Sequence, residues 1–278
     1  MSKRIAILIV IVAQLVVLAV LRAQTPSPKA SPGTSDDKWN NVPPSKPEYA
    51  RKKAGPAPRR DLSGIWDGTA EGGVQAKGTK EYVDSPGARD VPYTADGKAA
   101  RALNKPGETP EPIATGDIND PVDTCDPQGF PRMDLHQMKV IEIAQTEKQI
   151  VLLDQFYDNW RVIWTDGRPF PKEPDPRWNG YSVGKWEDDY TFVVQTVGTD
   201  ERTWLDNAGR PHSDALQVEE RFHRVDFDTL QLTVTISDPK FYTQPWAALN
   251  KFVLHRLPDD FDMREVICSV SEKQQPPK

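Results

Sequence analysis

Three ionisable residues in the middle of the chain could support acid–base chemistry: Asp166, His212 and Glu220. Carboxylates and histidine are the groups that enzymes most often use for proton transfer. The string Gly180 to Gly184 spells G-x-S-x-G, but it lies in a strand-like stretch and lacks the strand–turn–helix context of a nucleophile elbow. A hydrolase using the three ionisable residues is therefore an alternative hypothesis.

A larger set of residues suits the binding of a small molecule. Aromatic side chains with a few polar groups among them are typical of ligand pockets. The plainer interpretation is that the tryptophans fill the core and that Asp166 and Arg168 form a local ion pair in a turn. The candidate binding residues are Trp164, Asp166, Arg168, Trp178, Trp204, Asp206, His212, Glu220 and Tyr242.

Glu220 falls between Val218 and Phe222, in the apolar register of a predicted strand. A carboxylate placed there must be paired with a cation or take up a proton. Arg168 and Arg256 are the candidate partners. A buried structural ion pair is favoured over a catalytic acid or a ligand anchor.

These residues lie on or between strands with a two-residue alternation of apolar and polar side chains. The alternation is clearest from Leu230 to Ser237, and side chains on a strand point alternately to opposite faces. A first strand is expected at Asp61 to Trp66 and a closing strand at Met263 to Ser269. The others are Met138–Gln145, Gln149–Gln155, Arg161–Thr165, Tyr181–Glu187, Thr191–Val197, Leu216–Val225 and Trp246–Arg256.

Short and long connections alternate between these strands. Residues 187–189 and 226–228 are tight polar turns, whereas 166–178, 199–215 and 238–245 are long. In an up-and-down sheet every second connection lies at the same end, so we expect the three long loops to cluster. The predicted fold is an all-β, up-and-down antiparallel barrel of the lipocalin or calycin type, with about eight to ten strands.

Residues 68–137 form an irregular insertion after the first strand, expected to cover one face or one mouth of the barrel. A short helix is predicted to begin near Thr94. If the insertion forms a contact surface instead, the chain could be an envelope interaction protein.

The chain has two cysteines, Cys125 and Cys268. Outside the cytoplasm such a pair usually forms a disulfide. Two free thiols are the alternative, and no cluster has the spacing of metal ligands. We predict neither a metal nor a cofactor.

Residues 1–23 resemble a signal peptide, with Lys3 and Arg4 before an apolar run from Ile5 to Leu21. An uncleaved anchor to the inner membrane is the alternative, and it would be the only membrane contact. Residues 24–60 are a Pro-rich, disordered linker, residues 61–270 one barrel domain, and residues 271–278 a disordered tail. The body is therefore expected to be periplasmic or secreted.

The formal net charge of −6 argues against nucleic acid as a partner. The sequence does not indicate the oligomeric state. A small, partly apolar molecule is the expected partner, bound at the mouth or in the interior of the barrel.

Two resemblances extend this picture. Gly64-x-Trp66 resembles the G-x-W of lipocalins, in which the Trp closes one end of the barrel under an Arg from a late strand; here that Arg would be Arg256. Separately, most of residues 61–268 resembles a family of uncharacterised exported bacterial proteins, which implies an exported β-rich body and no particular activity. The strings that carry this second resemblance include Asp61–Trp66, Asn119–Pro121, Cys125–Arg132, Thr165–Arg168, Trp178–Trp186, Thr203–Asp206, Pro211–Ser213, Glu220–Arg221, Asp238–Pro239 and Glu265–Cys268.

Overall fold

The computed structural model of the chain describes residues 55–68, 91–106, 119–135, 140–156, 159–263 and 266–269. The predicted leader and tail, most of the linker and much of the insertion lie outside these residues. Among the described residues, no helix is both long enough and apolar enough to cross a membrane.

Nine strands close into a barrel, in which neighbours in sequence are neighbours in space and the last strand pairs with the first. The prediction of an all-β barrel is confirmed. The strands are β1 Gly64–Asp67, β2 Val140–Gln145, β3 Gln149–Asp154, β4 Asn159–Trp164, β5 Tyr181–Trp186, β6 Thr191–Val197, β7 Gln217–Arg224, β8 Thr229–Ser237 and β9 Trp246–Arg256.

Strand alternation decides which side chains fill the barrel. Along β8 every second residue is buried, from Leu230 to Ile236, while the threonines between them are only partly covered. The same rhythm in β7 places Val218, Glu220 and Phe222 inside. Each fully buried aliphatic or aromatic side chain contributes roughly 1.5–3 kcal/mol to folding, so this inner face is the main source of stability.

One junction in the ring is parallel. β4 and β5 run in the same direction and share only two paired positions, Ile163 with Ser182 and Trp164 with Val183. We call this junction the seam. All other neighbouring strands are antiparallel. Strands in sequential order can alternate direction around a closed ring only if their number is even, and nine strands therefore require a parallel pair.

The seam corrects the prediction that the three long loops share one end of the barrel. The 166–178 loop begins beside the β2–β3 turn, where the Thr165 amide donates to the Lys148 carbonyl at 3.0 Å. It ends beside the β6–β7 loop, where Arg177 forms a bridge with Thr199. This loop therefore runs from the end with the hairpin turns to the end with the other two long loops.

A short segment of the insertion packs inside the barrel. Phe130 and the one-turn helix α2, Arg132–Leu135, place Phe130, Met133 and Leu135 in the main core with the strand side chains. All three are almost fully buried. They occupy space that the sequence interpretation had assigned to a ligand, so the insertion closes this end of the lumen.

The helix α1, Ala95–Leu103, covers the same end. As predicted it begins beside Thr94, whose hydroxyl accepts a hydrogen bond from the Gly97 amide at 3.0 Å. A Cβ on Gly97 would lie 2.1 Å from the carbonyl oxygen of Phe241, so only glycine permits this contact with the β8–β9 loop. One turn of 3₁₀ helix, Pro121–Thr124, precedes α2.

Trp66 lies at the opposite end and is fully buried. The guanidinium carbon of Arg256 is 5.9 Å from the centre of its ring. Arg224, which the sequence interpretation missed, is closer at 4.6 Å. Two cations therefore lie near one indole, and burial together with the charge of Arg256 lowers the pKa of Arg224.

Cys125 and Cys268 form a disulfide, as predicted. The predicted closing strand at Met263–Ser269 is wrong: in the described part of that segment, Val266 makes only an isolated bridge with Phe156. β9 already pairs with β1, through Trp66 and Arg256, so the ring has no vacant edge for a further strand. The disulfide instead holds the segment on the outside of the barrel.

Candidate ligand-binding cleft

A cleft of about 650 Å³ lies at the seam, on the outer side of β4 and β5. Because the strands share only two paired positions, their walls separate beyond Ile163 toward the closed end of the barrel. The volume falls within the range of about 300–1,000 Å³ that is typical of small-molecule sites.

The aromatic wall of the cleft comes from β4. Alternation turns Arg161 and Ile163 inward and Trp160, Val162 and Trp164 outward. Trp160 is 61% exposed, which is unusual for so large an apolar side chain. Trp178 and Tyr181 also line the cleft. An incoming molecule would therefore meet several ring faces.

Side-chain amides join the two strands that border the cleft at its end nearest the closed end of the barrel. The Asn179 side chain donates to Asn159 Oδ1 at 2.8 Å and to the Trp160 carbonyl at 2.9 Å. These bonds fix the start of β4 against the segment before β5. Gln128 also lines the cleft, and its buried Nε2 has no hydrogen-bond partner among the described residues.

The third wall is the disulfide and its neighbours. Cys125, Pro127, Ile267 and Cys268 line the cleft, and Ile267 is exposed. The disulfide thus joins the insertion to the C-terminal segment across the cleft, which gives this wall a covalent support.

The floor of the cleft reaches a buried ion pair. Arg161 donates from Nη1 and Nη2 to the two carboxylate oxygens of Glu220, at 2.7 and 2.5 Å, and both side chains are at most 2% exposed. The guanidinium also stacks on Phe130 at 3.9 Å. Glu220 is therefore part of a buried ion pair. The prediction that its partner is Arg168 or Arg256 is wrong, because the partner is Arg161. Arg161 lies on the inner face of β4, where it can reach across the lumen.

A second acid adjoins this pair. Burial, followed by the charge of Glu220, raises the pKa of Asp134 well above its usual range. The nearby Arg161 acts in the opposite direction without cancelling the effect. Burial and the neighbouring charge of Glu220 therefore both favour the protonated form of the Asp134 carboxyl.

The structure divides the predicted binding residues into separate groups. Trp164 and Trp178 line the cleft. Asp166 and Arg168 form an ion pair of 2.6 Å at the other end of the seam, where Arg168 stacks on Trp164 at 3.5 Å. Hydrogen bonds from Arg168 lower the pKa of Asp166 to about 2.

The remaining candidates seal the closed end of the barrel. Asp206 pairs with Arg210 at 2.5 Å, and the Tyr242 hydroxyl donates to the Pro211 carbonyl at 2.6 Å. His212 Nε2 lies 2.8 Å from the Thr203 hydroxyl. Trp204 is also buried there, with the Arg132 guanidinium 5.5 Å from its ring. Their partners are residues of the closed end itself, and none of the four lines the cleft.

The three residues of the hydrolase hypothesis are not brought together. Asp166 is bound to Arg168, His212 to Thr203, and Glu220 to Arg161. Among the described residues, no three His, Cys, Asp or Glu side chains are placed to hold a metal ion.

Sequence reasoning missed several residues of the cleft, namely Gln128, Asn159, Trp160, Arg177, Asn179 and Tyr181. It began the strand at Arg161, one residue too late to assign Trp160 a face. The available signal was the alternation itself, because extending it backward places Trp160 on the same side as Trp164.

Comparisons of the chain with protein-family models, with curated proteins and with solved structures found no match. The resemblances to lipocalins and to exported bacterial proteins therefore stay predictions. The functional argument rests on the geometry of the cleft.

Proposed function

We propose that the protein is a non-enzymatic binder of a small, partly apolar molecule, which it holds in the seam cleft. The observation that carries the proposal is Trp160, exposed on the wall of a cleft of about 650 Å³. Large exposed apolar surfaces on otherwise polar proteins mark interaction sites.

The chemistry of the walls supports a ligand with both apolar and polar parts. Trp160, Trp164 and Trp178 offer ring faces, and Asn159 and Asn179 offer amide groups between them. Stacking on aromatic faces contributes about 0.5–1.5 kcal/mol beyond buried area, and a few fixed polar groups then orient the ligand. The function is lipocalin-like in using a β-barrel as a rigid scaffold, but the ligand lies outside the lumen.

Binding of N-phenyl-1-naphthylamine, a neutral apolar fluorophore, tests the proposal. We expect saturable binding to the wild type, and about tenfold weaker binding to Trp160→Ala, which lacks the stacking surface. Val162→Trp, which fills the cleft, should abolish binding.

Val225→Trp is the matched control for Val162→Trp, because Val225 is an exposed valine after β7, remote from the cleft. Equal binding by the two Val→Trp variants would refute the cleft as the site, and absence of binding to the wild type would refute the function. Native mass spectrometry of the protein purified from its own host would identify a retained ligand.

We also propose that the protein is exported, either periplasmic or secreted. The apolar run from Ile5 to Leu21 behind Lys3 and Arg4 supports this, and so does the disulfide between Cys125 and Cys268, since such bonds persist in oxidising compartments. N-terminal sequencing of the exported protein should find the leader removed near Ala23; an intact Met1 in the membrane fraction would instead establish an anchor.

A further inference from the structure

Three arginines lie over aromatic rings that line the cleft. The guanidinium carbon is 3.5 Å from the ring centre for Arg168 on Trp164, 4.3 Å for Arg202 on Trp178 and 4.1 Å for Arg177 on Tyr181. Stacking of this kind holds a long side chain in one orientation. Three of the rings that line the cleft therefore each carry a cation in a fixed position, and of the three cations only Arg177 itself lines the cleft.

Only two of these cations are neutralised by a neighbouring carboxylate. Arg168 pairs with Asp166 at 2.6 Å, and Arg202 pairs with Asp200 at 2.7 Å. Arg177 has no carboxylate partner among the described residues. Asp126 also lines the cleft, and its charge acts on Arg202. Arg177 is thus a cation on the cleft wall whose charge is available to a ligand.

The backbone around Arg177 is rigidly held. Its amide donates to the Gly198 carbonyl at 3.0 Å, and its carbonyl accepts from the Asp200 and Gly180 amides at 3.0 and 3.1 Å. A cation fixed before binding loses little conformational entropy when an anion arrives. The planar guanidinium also matches the two oxygens of a carboxylate or sulfonate.

The same short segment positions the apolar platform. Asn179, two residues after Arg177, donates to the Trp160 carbonyl at 2.9 Å. The exposed indole of Trp160 and the cation of Arg177 therefore line the same cleft and are joined through Asn179. A single small molecule can contact both.

We infer that the ligand of the cleft is a cyclic organic acid, whose ring stacks on Trp160 while its acidic group pairs with Arg177. This inference rests on the proposed function and adds the chemical class of the ligand. Arg177 acts in it as the residue that selects for negative charge.

Two fluorophores that share a ring system test the inference. 1-Anilinonaphthalene-8-sulfonate carries an acidic group that N-phenyl-1-naphthylamine lacks. We expect the wild type to bind the sulfonate about tenfold more tightly, the contribution of one charge-assisted contact. Arg177→Gln should bring the ratio of the two affinities close to one, whereas Arg177→Lys should retain part of the preference.

Arg202→Gln is the matched control, because Arg202 also stacks on a tryptophan of the cleft but is already paired with Asp200. It should leave the ratio of the two affinities unchanged. Circular dichroism and thermal midpoints would confirm that each variant is folded.

The outcomes separate the two proposals. If both probes bind the wild type equally, or if Arg177→Gln leaves the preference for the sulfonate intact, the inference is overturned while the cleft remains a binding site. If neither probe binds, or if Val162→Trp blocks neither, the proposed function is overturned together with the inference.

Discussion

The buried ion pair beneath the cleft allows a quantitative test of the structure. Arg161→Met removes the cation and keeps most of the side-chain volume. It leaves Glu220 and Asp134 close together in a region where Arg161 and Glu220 are at most 2% exposed. Removing one partner of a buried pair costs about 3–5 kcal/mol of unfolding free energy, because the remaining charge is desolvated without compensation.

The loss should depend on pH in a defined direction. The folded-state pKa of Asp134 is already raised, and removal of Arg161 takes away a charge that lowers it. A carboxyl with a raised folded-state pKa stabilises the fold fully below its unfolded value of about 4, and this contribution is lost as pH rises through the folded value. The deficit of Arg161→Met should therefore be largest near pH 8 and should shrink by pH 5.

Urea unfolding followed by tryptophan fluorescence at the two pH values measures this effect. Arg221→Met is the matched control, since Arg221 lies on the outer face of β7 in exposed ion pairs and should contribute less than about 1 kcal/mol. The double variant Arg161→Met with Glu220→Met should recover most of the loss. A single-variant loss below about 1 kcal/mol at pH 8, or a deficit that grows as the solution becomes more acidic, would refute the reasoning.

Three further predictions concern the closed end of the barrel and the disulfide. Gly97→Ala should lower the free energy of unfolding by about 1–3 kcal/mol in urea titrations, because the new Cβ would overlap the Phe241 carbonyl. Burial lowers the pKa of His212, so stability should fall as pH drops below the unfolded value of about 6.5, and thermal midpoints between pH 7.5 and 5.5 should fall less for His212→Gln. Replacing Cys125 and Cys268 by serine opens a 143-residue loop and should lower the urea midpoint by the equivalent of about 2–5 kcal/mol; an unchanged midpoint would contradict this.

The strands were predictable because their burial follows a local rhythm. The alternation from Leu230 to Ile236 depends only on neighbouring residues, and it coincides with β8. Tight polar turns likewise identify hairpins, such as the turn after Trp186. Such features can be read from the sequence because each depends on only a few consecutive residues.

The seam was not predictable from such signals. A connection as long as 166–178 can join two strands that are either parallel or antiparallel. Only closure of the whole ring decides between the two arrangements, and here it makes β4 and β5 parallel. For the same reason the sequence did not predict that the candidate site lies at the seam, outside the lumen. Polar residues in the long loops bond to their neighbours over the closed end, Asp206 to Arg210 and His212 to Thr203, while the cleft lies where β4 and β5 separate.

The odd number of strands has a consequence for related barrels. Adding or deleting a β-hairpin changes the count by two, so a seven- or eleven-stranded descendant would still be odd and would inherit a joint between strands of like direction. Gain or loss of a single strand would make full alternation attainable. The cleft between Trp160 and Arg177 would therefore persist if the barrel gained a hairpin. A single additional strand could remove the parallel pair and, with it, the cleft.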